Sequence, residues 1–93
     1  MKIVIVGAGK VGYSLAQRLI QDDHDVYVID RSPERIHNLE NTLDVSLVLG
    51  NGSDVQLLNE IDMSDVGMII AVTDSDEVNM LSCSVAKIKG VPT

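Results

Sequence analysis

The stretch IVIVGAGKVG at residues 3–12 decides the fold of this chain. Its first four residues are all apolar and β-branched, which is typical of a parallel strand that is covered on both faces. Three glycines follow with the spacing Gly-x-Gly-x-x-Gly, at Gly7, Gly9 and Gly12. Apolar residues then recur at helical spacing between Val11 and Ile20. The stretch therefore predicts a strand, a glycine-rich turn and a helix in succession.

The same alternation is repeated three more times along the chain. Further apolar runs begin at Val26, Leu47 and Met68, and each is followed by a turn and a stretch with helical spacing. Ser32 and Pro33 are typical of the first residues of a helix. Alternating strands and helices imply parallel pairing with right-handed crossovers. We therefore predict an α/β fold, a Rossmann-like, doubly wound parallel sheet with the strand order 3-2-1-4.

Two more helix starts are predicted from the spacing of polar residues. Ser53 and Gln56 have the spacing of a capping box before the third helix, and Asp74 and Glu77 have it before the fourth. The last residues, 90–93, lie where a fifth strand is expected to begin. We therefore interpret residues 1–93 as one domain at the front of a longer protein, with the later strands missing. Strand 4 would then be an edge that pairs with another chain, so we expect a dimer or a higher homo-oligomer.

Composition excludes several classes of function. Seven Lys and Arg against fourteen Asp and Glu give a net charge of −7, and there is no Phe or Trp. An acidic chain without stacking platforms is a poor match for nucleic acid, so no nucleic-acid partner is predicted. The single cysteine, Cys83, cannot form an internal disulfide, which favours a reducing cytoplasm. The first apolar run is too short for a signal peptide or a membrane span, so any membrane role would come through a partner.

The three glycines have distinct chemical roles in such a turn. Gly7 permits the tight bend, Gly9 lets a pyrophosphate approach the backbone because it has no Cβ, and Gly12 lets the helix pack on the strand. The phosphates would face the free N–H groups and the positive dipole end of the first helix. Lys10 is either a phosphate contact, in its own subunit or a neighbouring one, or a solvated surface lysine. A glycine turn that packs helix on sheet without a ligand is the alternative.

An acid follows at the end of the second predicted strand. Asp30 lies eighteen residues after Gly12, and an acid there accepts hydrogen bonds from ribose hydroxyls and repels a 2′-phosphate. NAD or an adenine nucleotide is therefore favoured over NADP. Arg31 weakens this preference, because a neighbouring guanidinium can hold a phosphate.

Two other strand ends should reach the same side of the sheet. Ligands of open α/β sheets lie beyond the carboxyl ends of the strands, so residues 50–54 are expected to flank the adenine and residues 72–74 the second half of the ligand. Ser53 and Asp74 have a second interpretation as helix caps. Neither His24 nor His37 has the spacing of a metal site or a catalytic dyad. No catalytic residue and no metal site are predicted.

Four features together resemble a known family. GAGKVG at residues 7–12, Asp30, GNGS at residues 50–53 and AVTDSDEVNM at residues 71–80 resemble the RCK, or KTN, family. These are the N-terminal nucleotide-binding domains of TrkA-type regulatory subunits of bacterial Trk potassium uptake, and the resemblance covers all 93 residues. It implies a Rossmann domain without hydride-transfer chemistry, and so no enzyme, that binds NAD, NADH, ATP or ADP.

The resemblance also implies partners and a location. The protein would assemble into homo-oligomers in the cytoplasm, peripheral to the inner membrane through a membrane potassium transporter subunit. Ligand exchange would alter its shape and so gate potassium transport. The alternative is the cofactor half of an NAD-dependent dehydrogenase. Its acid or base would be a His, Lys or Tyr, which residues 1–93 do not clearly supply but a second domain often does.

Motif and resemblance assign the cofactor contacts by position. The resemblance implies that the three glycines of the turn hold the pyrophosphate, that Asp30 holds the ribose and that Lys10 and Arg31 contact phosphates. The other residues belong to the turn itself or to the loops on the adenine side and the far side of the ligand. The predicted cofactor-binding residues are Gly7, Ala8, Gly9, Lys10, Val11, Gly12, Asp30, Arg31, Ser53, Asp54, Val72, Thr73, Asp74 and Glu77.

Overall fold

The structure is a computed structural model that describes residues 1–93. Strands and helices alternate along the chain as the apolar runs predict, with one short 3-10 turn before the last strand. The elements are β1 (Lys2–Val6), α1 (Lys10–Gln21), β2 (Asp25–Asp30), α2 (Pro33–Glu40), β3 (Ser46–Leu49), α3 (Val55–Glu60), the 3-10 turn (Met63–Asp65), β4 (Val66–Ala71) and α4 (Asp76–Ile88).

The four strands form one parallel sheet in the order β3-β2-β1-β4. Helices α1 and α2 pack on one face of this sheet, and α3 and α4 pack on the other. The predicted α/β class, the doubly wound arrangement and the strand order 3-2-1-4 are therefore confirmed. The reversal of strand order between β1 and β4 places the carboxyl end of β1 at the switch point, where ligands bind in folds of this type.

Residues 3–6 of strand β1 show why this run is wholly apolar. Successive side chains of a strand point to opposite faces of the sheet. Ile5 packs in the cluster that contains Leu39 of α2, whereas Val4 and Val6 pack in the cluster that contains Leu58 of α3. Because helices cover both faces, a polar side chain within this run would be buried without a partner.

The predicted cap of α2 is confirmed, but the predicted cap of α3 is wrong by one residue. Ser32 caps α2 through its hydroxyl oxygen. At α3, Asp54 is the N-cap and accepts from the Gln56 amide at 3.0 Å. Ser53 instead donates from its amide and its hydroxyl to the side-chain oxygen of Asn51, at 2.9 and 2.8 Å. The Asn51 side chain therefore holds Ser53 in the turn and leaves the cap to the next residue.

The cap of α4 is also shifted by one residue from the predicted Asp74. Ser75 is the N-cap, and its hydroxyl oxygen accepts from the Val78 amide at 3.2 Å. The Ser75 amide in turn donates to the Thr73 hydroxyl oxygen at 3.1 Å. This local turn fixes Ser75 at the start of the helix and leaves the Asp74 and Glu77 side chains exposed.

Strand β4 and helix α4 each have one side that no other element of the chain fully covers. Strand β4 lies at the edge of the sheet, as predicted. On its outer side the Ile69 amide donates to the Thr93 carbonyl oxygen at 2.7 Å. On α4, Met80, Leu81 and Ile88 are exposed by 71%, 53% and 86%. None of the helices has the length and apolar character that crossing a membrane requires.

At the opposite, amino end of the sheet, Lys2 of β1 contacts both β2 and the 3-10 turn. Its ammonium group donates to the Asp65 carboxylate and to the Asp62 carbonyl oxygen, each at 2.9 Å, and lies 4.6 Å from the centre of the Tyr27 ring. Partial burial lowers the pKa of Lys2, but the hydrogen bond to Asp65 and nearby negative charge outweigh it, so the pKa is raised. The Lys2 ammonium group is thus engaged within the fold.

Candidate functional site

Two glycines of the turn after β1 are required by the packing of the fold. Gly7 has φ +115°, and a Cβ there would lie 2.9 Å from the carbonyl carbon and oxygen of Val72. A Cβ at Gly12 would overlap the Gly7 carbonyl oxygen. Because every one of these neighbours is backbone, no side-chain rearrangement can relieve the overlap. Gly7 and Gly12 therefore bring α1 and the end of β4 into direct contact with the turn.

The fold does not require a glycine at Gly9. Its φ of −73° and ψ of −164° suit any residue, and a Cβ there would lie 3.8 Å from the nearest atom, a guanidinium nitrogen of Arg35, which is an ordinary contact. Gly9 is the N-cap of α1 and offers no side-chain cap, and the first turn of α1 contains no acid. By contrast, side-chain oxygens cap α2, α3 and α4. The amino end of α1 thus presents backbone N–H groups to an anion without a competing acceptor.

Asp30 connects this turn to the end of β2. Its carboxylate accepts from the Ala8 amide at 2.7 Å and from the Ser32 amide at 2.8 Å, one amide on each oxygen. The residue is only 8% exposed. A carboxylate has about four acceptor sites, so two remain for hydroxyl groups of a ligand. The acid is therefore held rigidly beside the glycine turn.

Arg35, which is not among the predicted cofactor contacts, is the cation nearest to Asp30. A guanidinium nitrogen of Arg35 lies 3.7 Å from an Asp30 carboxylate oxygen, and the side chain is half exposed. A sequence signal was available, because Ser32 and Pro33 fix the start of α2. Side chains of a helix point back toward its amino end, so a residue in the first turn reaches the end of β2. The resulting pair places a positive charge over Gly9.

A crevice opens beside these groups at the carboxyl ends of the strands. The loops after β2, β3 and β4 all contribute to its walls, so the two loops predicted to flank separate halves of a ligand line one space. The lining residues are Val6, Ile29, Asp30, Arg31, Arg35, Gly50, Asn51, Gly52, Thr73, Asp74, Ser75 and Val78.

Four of the predicted contacts, Asp30, Arg31, Thr73 and Asp74, line this crevice directly. Val72 lies behind it, because its backbone packs on Gly7.

The remaining predicted contacts do not line the crevice. Four of them, Gly7, Ala8, Gly9 and Gly12, belong to the glycine turn, which borders the crevice through Asp30 and Thr73. Ser53 and Asp54 hold the start of α3, while Gly50, Asn51 and Gly52 of the same loop line the crevice. Lys10 and Val11 are exposed on the first turn of α1 and line a shallow surface with Ser14 and Leu15. Glu77 is exposed on the first turn of α4.

The chemistry of the crevice and of the glycine turn beside it suits a ligand that carries phosphates and hydroxyls. The backbone amides at the amino end of α1 and the guanidinium groups of Arg31 and Arg35 can bind anionic oxygens. Asp30 can accept from hydroxyls. His, Cys, Asp and Glu side chains nowhere form a group of three that could hold a metal ion.

A parallel sheet of order 3-2-1-4, with a glycine turn after β1 and an acid ending β2, defines a Rossmann-type domain. Within that class, the chain belongs to the TrkA-N domain family, because the model of that family matches residues 3–93. The family inferred from the four sequence features is therefore confirmed.

Two curated relatives carry the name Trk system potassium uptake protein TrkA. The protein of Halomonas elongata is 44% identical over 86 residues, which are 92% of this chain and 19% of the relative. That of Azorhizobium caulinodans is 45% identical over an aligned length of 94 residues, which covers 100% of this chain and 20% of the relative. The chain thus spans about a fifth of the length of these relatives.

Two solved structures share the fold at low sequence identity. The NAD(P)-binding domain of an exopolyphosphatase-related protein from Archaeoglobus fulgidus has a TM-score of 0.83 at 20% identity and covers 95% of this chain and 65% of its own. The GsuK channel bound to NAD has a TM-score of 0.81 at 23% identity and covers 94% of this chain and 16% of its own. At these identities the likeness concerns the fold alone.

Proposed function

We propose that this domain binds NAD, NADH, ATP or ADP in the crevice and regulates a bacterial Trk potassium uptake system. Membership of the TrkA-N family and relatives named as Trk potassium uptake proteins support the transport role. Because the chain spans only a fifth of those relatives, the transporter partner and the cytoplasmic location beside the inner membrane belong to the proposal. The ligand would gate transport by binding two conformations with unequal affinity.

The proposal of nucleotide binding rests mainly on the glycine at position 9, Gly9. Packing explains Gly7 and Gly12, but it leaves Gly9 unexplained, because a Cβ there meets only ordinary contacts. The missing Cβ keeps the backbone open at the uncapped amino end of α1. A diphosphate group can approach this surface closely and accept from its N–H groups. The GsuK channel, solved with NAD, shares this fold.

The buried acid supports an unmodified ribose as the sugar of the ligand. Asp30 lines the crevice and retains acceptor sites beside its two amide donors, and a 2′-phosphate beside it would place two negative charges together. Arg31 and Arg35 line the same crevice and can contact the phosphates. We therefore expect NAD to bind more tightly than NADP.

The lining of the crevice favours a regulator over a dehydrogenase. Hydride transfer to or from a carbonyl or alcohol needs a proton donor or acceptor such as His, Lys or Tyr. The residues that line the crevice include none of these types. Within this domain the nucleotide would therefore act as a bound signal rather than as a reactant.

The variant Gly9→Ala tests the proposal directly. We expect it to fold, with a loss of about 1 kcal/mol or less in the free energy of unfolding, because alanine is a poorer N-cap than glycine. The added methyl group should separate the diphosphate from the amides and weaken NAD binding tenfold or more, which corresponds to about 1.4 kcal/mol or more. Isothermal calorimetry with NAD and thermal unfolding measure the two effects.

Two outcomes of that experiment would contradict the proposal. One is a wild-type protein that binds none of NAD, NADH, ATP and ADP. The other is a Gly9→Ala protein that binds with wild-type affinity, since the ligand would then lie elsewhere. Ser14→Ala, an exposed change on α1 outside the glycine turn, is the matched control and should leave the affinity unchanged.

Self-association is part of the proposed regulator. The exposed apolar residues Met80, Leu81 and Ile88 of α4 support a homo-oligomer in which this helix is covered. Light scattering of the wild type should therefore give a mass above the 10.1 kDa of one chain. Ile88→Glu should lower that mass, because it places a charge in the contact.

The control for self-association adds the same charge elsewhere. Gln17→Glu lies on the exposed surface of α1 and should leave the mass as in the wild type. A wild type that remains monomeric at high concentration would remove oligomerisation from the proposal.

A further inference from the structure

The loop between β4 and α4 is held by a single side chain of the helix that follows it. Asn79 lies on α4, six residues after Thr73. Its side-chain oxygen accepts from the Thr73 amide at 2.9 Å and lies 2.6 Å from the Thr73 hydroxyl. Its side-chain NH₂ donates to the Thr73 carbonyl oxygen at 3.2 Å. Asn79 therefore engages both backbone polar groups of one loop residue, as a neighbouring strand would.

The loop that Asn79 holds contributes a wall of the crevice. Thr73, Asp74 and Ser75 all line it, whereas Asn79 does not. The same loop touches the glycine turn, since a Cβ at Gly7 would lie 3.1 Å from the Thr73 amide nitrogen. A shift of Thr73 would therefore change both the crevice wall and the space beside the glycine turn.

We propose that Asn79 is a positioning residue for the nucleotide: it has no contact with the ligand but fixes the wall formed by residues 73–75. This inference rests on the proposed function and adds a residue that neither the glycine motif nor the acid indicates. The half-buried amide is suited to the role, because it satisfies the N–H and the C=O of Thr73 at once. A hydrophobic side chain of similar size would leave both groups without these partners.

The test compares Asn79→Leu with a control on the same helix. Val85→Ala removes apolar contacts of α4 with the core, and Val85 is not among the residues that line the crevice. We expect Asn79→Leu to raise the Kd for NAD at least tenfold and to accelerate hydrogen exchange of the Thr73 amide. Val85→Ala should lower the stability to urea and leave both the Kd and that exchange rate as in the wild type. A role confined to stability would instead affect the two variants alike.

A second variant covers the case in which Asn79→Leu does not fold. Asn79→Asp retains the acceptor for the Thr73 amide and replaces only the donor to the Thr73 carbonyl, so its Kd should rise by a smaller factor, about threefold to tenfold. Folded Asn79 variants with a Kd within twofold of the wild type would overturn the inference while the proposed function stands. A wild type that binds no nucleotide would overturn the proposed function, and this inference with it.

Discussion

Replacing Gly12 by Ala is expected to remove a large share of the stability of the domain. Helix propensity alone would favour alanine by about 1 kcal/mol, but the new Cβ would overlap the Gly7 carbonyl oxygen and lie 2.9 Å from its carbonyl carbon. Overpacking typically costs about 1–3 kcal/mol, and the upper end is expected here because the overlapped atoms are backbone. The total stability of a domain of this size is about 5–14 kcal/mol. Urea unfolding followed by circular dichroism should show the midpoint move far toward lower urea.

The control for this prediction is Gly67→Ala, in β4. A Cβ there would also be crowded, but its neighbours are side-chain atoms of Met1, the nearest at 2.7 Å. Met1 is exposed and flexible enough to move away, so the change should cost about 1 kcal/mol or less. If Gly12→Ala were as stable as Gly67→Ala, the close packing of α1 against the glycine turn would be wrong.

The second large effect is expected for Asp30→Asn, in the binding of NAD. The carboxylate would lose its charge, and an amide NH₂ would face either the Ala8 or the Ser32 N–H, which now donates to a carboxylate oxygen. Hydrogen bonds to a charged group contribute about 1.5–3 kcal/mol each. Losing one to a ribose hydroxyl should therefore weaken binding at least tenfold. Calorimetry with NAD measures this change, and urea unfolding reports the accompanying loss of stability.

Glu34→Gln is the matched control, because it removes the same charge from the first turn of α2, close to Asp30 but outside the lining of the crevice. Glu34 is exposed. Removing its charge should leave NAD binding unchanged or strengthen it slightly, since the ligand is anionic. Equal losses of affinity in the two variants would show that the total charge around the site matters, and not the position of Asp30.

The sequence was sufficient to predict the fold, including the glycine turn after β1 and the acid at the end of β2. Apolar runs and glycine spacing are short-range signals, and the rules for parallel sheets convert them into one strand order. Gly7 and Gly12 lie in the turn where those rules place them, because the backbone contacts there leave no room for a side chain. Asp30 lies at the end of β2, where its carboxylate accepts from two backbone amides. Whether these groups bind a nucleotide stays a prediction.

The remaining features depend on contacts that residue spacing alone does not determine. The caps of α3 and α4 were each displaced by one residue because nearby side chains, Asn51 and Thr73, compete for the same turn. Arg35 reaches the site from the first turn of α2, and Asn79 holds the loop that forms one wall of the crevice from α4. The start of α2 offers a sequence signal for Arg35, but the role of Asn79 depends on its distance from Thr73, which the stretch at residues 71–80 does not give by itself.

The double attachment of Asp30 has a consequence for how this domain can evolve. In Rossmann domains an acid at this position binds the ribose hydroxyl of NAD, whereas an Arg nearby accommodates the 2′-phosphate of NADP. In this chain the carboxylate also accepts from the amides of Ala8 and of Ser32, directly before α2, so its loss would leave two donors in need of new acceptors. Under the proposed function, one substitution at Asp30 would therefore change the choice of coenzyme only by also weakening the scaffold. Selection for a stable fold and selection for the ligand would then act on the same side chain.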